Sequence, residues 1–235
     1  MRLDLLASLN EERAARRAAV LVTEMASGRQ RLVREKDVAS DPLSHRLQDY
    51  LTLRKSGLIE EEGRPFFLDV HVPPIKLLVI GAVHVSQALA PMVAGLDLDI
   101  IIIDPRSAFA TPDRFPGVEL LAEWPDEAMP RIGLDRHMAV LTLTHDPKID
   151  DRALVEALRS DCFYIGALGS RKSHAQRLDR LRAAGFGDDE LARIHGPVGL
   201  NIGAVSPAEI AVSILAEIIS LLRQERRQAR EAAPG

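Results

Sequence analysis

The sequence predicts an α/β fold in which a doubly wound parallel sheet follows a small α+β module at the N-terminus. Two observations predict it. After residue 74, apolar runs without alternation are separated by helical stretches, which is typical of parallel strands buried on both faces. Before residue 72 the apolar residues alternate with polar ones instead, and Pro73-Pro74 punctuates the chain between the two patterns.

The first predicted domain is a small α+β module over residues 1–72. It opens with a charged helix, followed by strands at 19–23 and 30–34 around a turn at Ser27-Gly28. An amphipathic helix follows, and a further alternating strand in "GRPFFLDVHV" closes the module.

The second predicted domain covers residues 74–228 and contains four apolar strands, at 76–80, 99–103, 138–143 and 162–166. Because ligands of open α/β sheets bind outside the carboxyl ends of the strands, the residues that follow these runs are the candidate site.

Composition narrows the class of protein. The chain has 235 residues with 46% hydrophobic and 27% charged residues, which is ordinary for a globular protein of one to two domains. A net charge of −4 argues against nucleic acid as a partner. There is no apolar stretch of membrane-spanning length and no signal-peptide pattern, and the single cysteine, Cys162, allows no intramolecular disulfide. We therefore expect a cytoplasmic protein with a buried, inert thiol.

The first strand leads into "GAVHVSQ", a glycine turn that opens a helix. In the dinucleotide fingerprint G-x-G-x-x-G/A, Gly81 fills the first position, Val83 the second and Ser86 the third. Asp104 follows Gly81 by 23 residues, the slot of an acidic residue that binds a ribose, although an Asx turn before Pro105 explains it equally well. His84 at the helix start could donate to an anion or close its own turn.

A second glycine loop, "GALGSRKSHAQR", follows the fourth strand. Gly169 allows close backbone approach, Ser170 can cap the next helix, and Arg171 adds a positive charge. The combination favours an anion site over an ordinary turn with solvated bases.

Other strand-end residues complete the candidate set. These are Arg106 after the second strand, His145 and Asp146 after the third, and His195 and Asn201 in a glycine-marked loop before the last helix. One His and one Asp are too few to specify a metal. Glu209 is expected to cap the last helix in a box with Ser206.

Taken together, these strings resemble the XdhC/CoxI family of molybdenum-enzyme maturation proteins. The matching strings are "GAVHVSQALAP", "IDPRSAFATPDRFPG", "EWPDEA", "LTHDPKIDD", "FYIGALGSRKSHAQRLDRL", "ARIHGPVGLNIGA" and "SPAEIAVSILAEII". They extend over about 77–219 in a specific order and spacing. Longer relatives carry a Gly-rich segment with a cysteine in the N-terminal module, which residues 1–72 lack, so the chain resembles a shorter branch.

The resemblance implies a Rossmann-like domain, a homodimer and a chaperone rather than a catalyst. It implies binding of molybdenum cofactor (molybdopterin), sulfuration with a cysteine desulfurase, and insertion into a xanthine-dehydrogenase-type client. Two alternatives remain at this stage: an NAD(P)-binding oxidoreductase, favoured by Asp104 and disfavoured by Val83, and an interaction scaffold that has lost its ligand.

Overall fold

The computed structural model describes residues 2–96 and 98–232, with side chains described up to Gln224 along the last helix. The chain divides into two compact units, Met1–Pro73 with Leu221–Gly235, and Pro74–Ser220. All the candidate site residues lie in the second unit.

The first unit is a small antiparallel sheet with helices. Its elements are α1 (Leu3–Ala14), β1 (Ala19–Glu24), β2 (Gln30–Arg34), a 3-10 helix (Glu35–Ser40), α2 (Ser44–Leu53), β3 (Gly57–Glu61) and β4 (Arg64–His71). The strand order is β2-β1-β4-β3. Val20 and Val22 of β1, Leu68 of β4 and Leu47 of α2 share one hydrophobic core, which explains the alternating pattern.

Glu12 of α1 is a buried charge in this unit, and we expect its removal to destabilise the fold. Its side chain is 5% exposed and accepts hydrogen bonds from Arg17 Nε (2.6 Å) and Arg34 Nε (2.9 Å). The bond from Arg17, with that from Arg34, lowers the pKa of Glu12 to about 2. Since the folded-state pKa lies below the ordinary value of 4.5, this contribution is complete above that pH and is lost as the pH falls towards 2.

Glu12→Gln should therefore lower the free energy of unfolding by about 1–2 kcal/mol at pH 7, because both partner arginines are partly solvated. The difference in the free energy of unfolding between Glu12→Gln and wild type should shrink below pH 4. Urea denaturation at several pH values measures it, with the exposed neighbour Glu11→Gln as control. Equal stability of the two variants at pH 7 would contradict the role given to Glu12.

The second unit is built on a parallel sheet. Its strands are β5 (Lys76–Ile80), β6 (Asp99–Ile103), β7 (Glu119–Leu121), β8 (Met138–Thr142), β9 (Tyr164–Ala167) and β10 (Ile194–His195). They lie in the order β10-β9-β8-β5-β6-β7, and every neighbouring pair is parallel. Leu77–Ile80 and Met138–Leu141 are fully buried, because helices cover both faces of the central strands. The predicted fold class is confirmed.

Helices separate these strands along the chain, except between β6 and β7, where the described chain has no helix. They are α3 (His84–Ala94), α4 (Pro125–Ile132), α5 (Pro147–Leu158), α6 (Arg171–Ala183), α7 (Asp188–Leu191) and α8 (Pro207–Ala232). The start of α8 has the expected capping box, in which Glu209 N–H donates to Ser206 Oγ (3.2 Å) and Ser206 N–H donates to Glu209 Oε2 (2.9 Å). Glu209 is therefore a structural residue.

Cys162 is buried at the start of the β9 segment, with Sγ 3.5 Å from the Ala157 carbonyl. Burial raises the pKa of its thiol, so the sulfur packs as an apolar group, as the sequence predicts. Within residues 2–96 and 98–232, no helix has both the length and the apolar character that crossing a bilayer requires.

Candidate functional site

The candidate site lies at the carboxyl edge of the parallel sheet. From β5 the chain passes to β6 on one side and later to β8 on the other, so the ends of β5 and β8 form the topological switch point. The loops after these strands touch. A Cβ added to Gly81 would lie 2.7 Å from Thr144 Cγ2, so glycine is required where the two loops meet.

The loop after β5 opens the N-terminus of α3. Gly81 has φ +116, and Val83, the N-cap, keeps an extended backbone with φ −105 and ψ 176. Val83 has no side-chain acceptor, so the first N–H groups of α3 are left without a side-chain cap, beside the exposed imidazole of His84. Ser86 is fully buried and donates to the Gly81 carbonyl, which fixes the turn. This helix start therefore has the groups that bind an anion.

Asp104, at the end of β6, has a different role from the ribose ligand suggested by its spacing. Its side chain is 0% exposed. It accepts from Ala82 N–H (2.8 Å), and Arg106 Nε (2.9 Å) and Nη2 (2.7 Å) form a fork on it. Burial raises the pKa of Asp104, but the bonds from Arg106 and from Ala82 outweigh it and the net pKa is lowered. Asp104 and Arg106 thus join the first loop to β6.

Arg114 is a second anchor of this loop, and sequence reasoning missed it. Its guanidinium donates to the carbonyls of Ala82 (2.8 Å) and Phe109 (2.7 Å) and to Gln87 Oε1 (2.8 Å). Its partners lie up to 32 residues away, so no local spacing could have indicated the contact.

The loop after β8 is held by Asp150, a buried residue of α5 that sequence reasoning also missed. Its carboxylate accepts from Thr144 Oγ1 (2.7 Å) and from His145 N–H (3.1 Å). Burial raises the pKa of Asp150. His145 is exposed and has φ +63, a left-handed conformation that is uncommon for residues other than glycine and clusters at functional sites. Asp146 is the N-cap of α5 and accepts from Lys148 N–H (2.9 Å), which is a structural task.

The loop after β9 leads into α6. Gly169 has φ +143, and Ser170 caps the helix by accepting from Ser173 N–H (3.1 Å). Arg171 is exposed in the first turn. Further along, Arg177 is 4% exposed, and its Nη2 donates to the Leu168 carbonyl (2.7 Å). A cavity of about 200 Å³ opens here, lined by His145, Asp150, Leu168, Ser173 and Arg177 among others.

His195 ends β10, at the edge of the sheet beyond β9. Its Nδ1 lies 3.2 Å from Glu217 Oε1 of α8, and its ring packs against the Tyr164 ring, with centroids 4.7 Å apart and ring planes tilted by 31°. Asn201 is exposed, and in the part of the chain that the structure describes no hydrogen bond joins it to the strand-end groups. Over the same described ranges, no cluster of three or more His, Cys, Asp or Glu could hold a metal ion.

The structure gathers some of the predicted residues into two neighbouring sets and leaves His195 and Asn201 outside both. The loops after β5 and β6 share Gly81, Asp104 and Arg106, and the loops after β8 and β9 share a cavity that His145 lines.

Comparison with known proteins identifies the family. Residues 77–218, more than half of the chain, match the family described as the XdhC Rossmann domain. The chain belongs to the XdhC family. Its domain of that family is the Pro74–Ser220 unit with the strand-end site.

Three curated relatives share this part of the XdhC chain. The first is an uncharacterised protein, YqeB, of Escherichia coli strain K12, 35% identical over 72% of this chain and 30% of the relative. The second is a protein of Bacillus subtilis strain 168 named as a probable xanthine dehydrogenase subunit, 33% identical over 63% of this chain and 43% of the relative. The third is the molybdenum cofactor insertion chaperone PaoD of Escherichia coli strain K12, 31% identical over 65% of this chain and 42% of the relative. The chain thus spans less than half the length of each of these relatives.

A solved structure described as a xanthine dehydrogenase from Bacillus halodurans has the same fold. The TM-score is 0.70 at 23% identity, over 96% of this chain and 68% of that chain.

Proposed function

We propose that this XdhC-family chain binds molybdenum cofactor as cargo at the carboxyl edge of its parallel sheet and aids its sulfuration and insertion into a xanthine-dehydrogenase-type molybdoenzyme. The proposal includes a cytoplasmic homodimer that works with a cysteine desulfurase. When inserted, the cofactor supplies the client enzyme with its redox-active molybdenum. The names of the Bacillus subtilis and PaoD relatives support this choice of cargo.

The observation that carries the proposal is the uncapped start of α3 at the switch point. The pterin of the cofactor bears a phosphate, and the open N–H groups after Val83 offer it hydrogen bonds without displacing a side chain. The helix dipole adds about 0.3–2 kcal/mol in partly buried geometries. By contrast, Ser170 already caps α6, so we assign the phosphate to α3, with Gly81 and His84, and a more peripheral charge contact to Arg171.

The same geometry weakens the dinucleotide alternative. A ribose hydroxyl needs a free carboxylate at the end of β6, and both oxygens of Asp104 are occupied by Arg106 and the Ala82 N–H. The residue that favoured an oxidoreductase in the sequence is thus used to build the loop.

Arg171→Ala tests the charge contact. We expect cofactor affinity to fall about five- to tenfold, roughly 1–1.4 kcal/mol, because one charge-assisted contact is lost. The free energy of unfolding should not change, since Arg171 is exposed. Equilibrium titration with purified molybdenum cofactor, followed by pterin fluorescence, measures the affinity.

Arg182→Ala is the matched control for this experiment. Arg182 lies in the last turn of the same helix and forms surface ion pairs with Asp179 (3.1 Å) and Asp188 (3.0 Å). Its removal should leave cofactor binding unchanged. Equal affinities of the two variants would show that Arg171 makes no contact with the cargo.

A further inference from the structure

His174 of α6 and His195 of β10 lie together at what we call the β9–β10 corner. Each is bonded through Nδ1 to a charged residue, and the two charges are opposite. His195 Nδ1 lies 3.2 Å from Glu217 Oε1, and His174 Nδ1 lies 3.4 Å from Arg177 Nη1. The histidines belong to the same corner, because a Cβ on Gly196, next to His195, would overlap the His174 ring.

The Glu217 carboxylate determines which nitrogen of His195 carries a proton. An ionised carboxylate only accepts hydrogen bonds, so His195 Nδ1 must be the donor, and in the neutral ring Nε2 keeps its lone pair. Glu217 Oε2 is itself held by Gly199 N–H (2.9 Å) and by the Tyr164 hydroxyl. Burial, together with Glu217, raises the pKa of Tyr164, so that hydroxyl remains a donor. The His195 side chain is 34% exposed.

Arg177 imposes the opposite arrangement on His174. A guanidinium has donors and no acceptor, so His174 Nδ1 must be the acceptor and Nε2 carries the proton. Arg177 is fixed in turn, because it is buried and donates to the Leu168 carbonyl. Burial, and then the charge of Arg177, lowers the pKa of His174, which keeps the ring neutral. Across the described residues, neither His174 Nε2 nor His195 Nε2 is hydrogen bonded to protein.

We infer that Glu217 and Arg177 are positioning residues that fix opposite tautomers of His195 and His174, so that the corner presents one acceptor and one donor to its ligand. A ligand group that fits offers a donor to His195 Nε2 and an acceptor to His174 Nε2, as a cyclic amide can. The oxo-pyrimidine ring of a pterin is such a group, and this last step rests on the proposed function.

Nuclear magnetic resonance of the full chain with ¹⁵N-labelled histidine tests the tautomers directly. We expect His195 to be the Nδ1–H form and His174 the Nε2–H form in the wild-type protein. Finding His195 as Nε2–H, or His174 as Nδ1–H, would overturn the inference without any variant.

Glu217→Gln extends the test, because an amide can donate as well as accept. The tautomer preference of His195 should weaken and that of His174 should persist. Affinity for purified molybdenum cofactor should fall at least fivefold. Glu209→Gln is the control, since Glu209 lies on the same helix but only caps its start. If wild-type protein binds the cofactor and Glu217→Gln binds it with the same affinity, the pairing of the two histidines with the ligand is overturned.

The tautomer and binding readouts also separate this inference from the proposed function. If the tautomers are as assigned but wild-type protein binds no cofactor, the proposed function and the pairing with a pterin both fail, and the positioning roles of Glu217 and Arg177 stand.

Discussion

Asp104→Asn should destabilise the second unit by about 2–4 kcal/mol, although the side chain keeps its size. The Asp104 carboxylate is fully buried and accepts from Ala82 N–H and from the Arg106 fork. An amide can still accept from Ala82, but it sets an NH₂ group against a guanidinium that has no acceptor. Removing one partner of a buried ion pair lowers the free energy of unfolding by several kcal/mol. We expect a smaller loss here because the Arg106 side chain is 34% exposed.

The effect of Asp104→Asn should also depend on pH. The pKa of Asp104 is lowered in the folded protein, so its stabilising contribution is complete above the ordinary value of 3.8 and is lost as the pH falls below it. The difference between wild type and variant, measured by urea denaturation, should therefore narrow in acid.

Asp126→Asn is the control for this experiment. Asp126 forms an exposed ion pair with Arg152 (3.0 Å), whose side chains are 39% and 48% exposed. Its loss should change the free energy of unfolding by less than about 0.5 kcal/mol. If Asp104→Asn is as mild as this control, the fork does not hold the loop, and the ribose role of Asp104 would return.

Gly81→Ala should both destabilise the protein and abolish cofactor binding. The residue has φ +116, which an L side chain rarely adopts, and the new Cβ would lie 2.7 Å from Thr144 Cγ2 and 3.3 Å from Thr144 N. We expect a loss of about 2 kcal/mol or more in stability. Because the loop that opens α3 must shift, affinity for the cofactor should fall at least about tenfold, or about 1.4 kcal/mol.

Two further variants test whether the clash with Thr144 causes the loss of stability in Gly81→Ala. In Gly81→Ala with Thr144→Ser, the clashing methyl group is absent while the hydroxyl that bonds Asp150 remains, so part of the stability should return. Gly95→Ala, at the end of the same helix, has φ −71 and only ordinary contacts, and should be neutral or slightly stabilising. A Gly81→Ala protein that binds the cofactor normally would remove the α3 loop from the site.

The parallel sheet could be predicted from the sequence because its central strands are buried on both faces and therefore uniformly apolar. The edge strands β7 and β10 were missed, since three and two residues are too few to form a pattern. The N-caps Ser170 and Asp146 follow local rules that a spacing of two or three residues reveals.

Residues whose role depends on partners far away in the sequence could not be predicted from local patterns. Glu217 meets His195 from 22 residues away and Tyr164 from 53, and Arg177 reads as an ordinary surface arginine until α6 packs against the sheet. Asp104 shows a related limit. Its position at the strand end could be predicted, but the carboxylate is used by Arg106 two residues later, and spacing alone does not distinguish that fork from a ribose contact.

The most direct test of cofactor binding is to determine what the wild-type chain retains and binds. The protein as isolated would be denatured and its extract assayed for pterin fluorescence and molybdenum, and the cofactor-free protein would be titrated with purified molybdenum cofactor, NAD and NADP in a thermal-shift assay. At about 100 times its dissociation constant, a ligand stabilises the folded protein by about 2.7 kcal/mol, which such an assay resolves. We expect pterin and molybdenum in the extract, saturable stabilisation by the cofactor and none by the dinucleotides. Stabilisation by NAD or NADP, with no pterin and no response to the cofactor, would contradict cargo binding at the α3 loop.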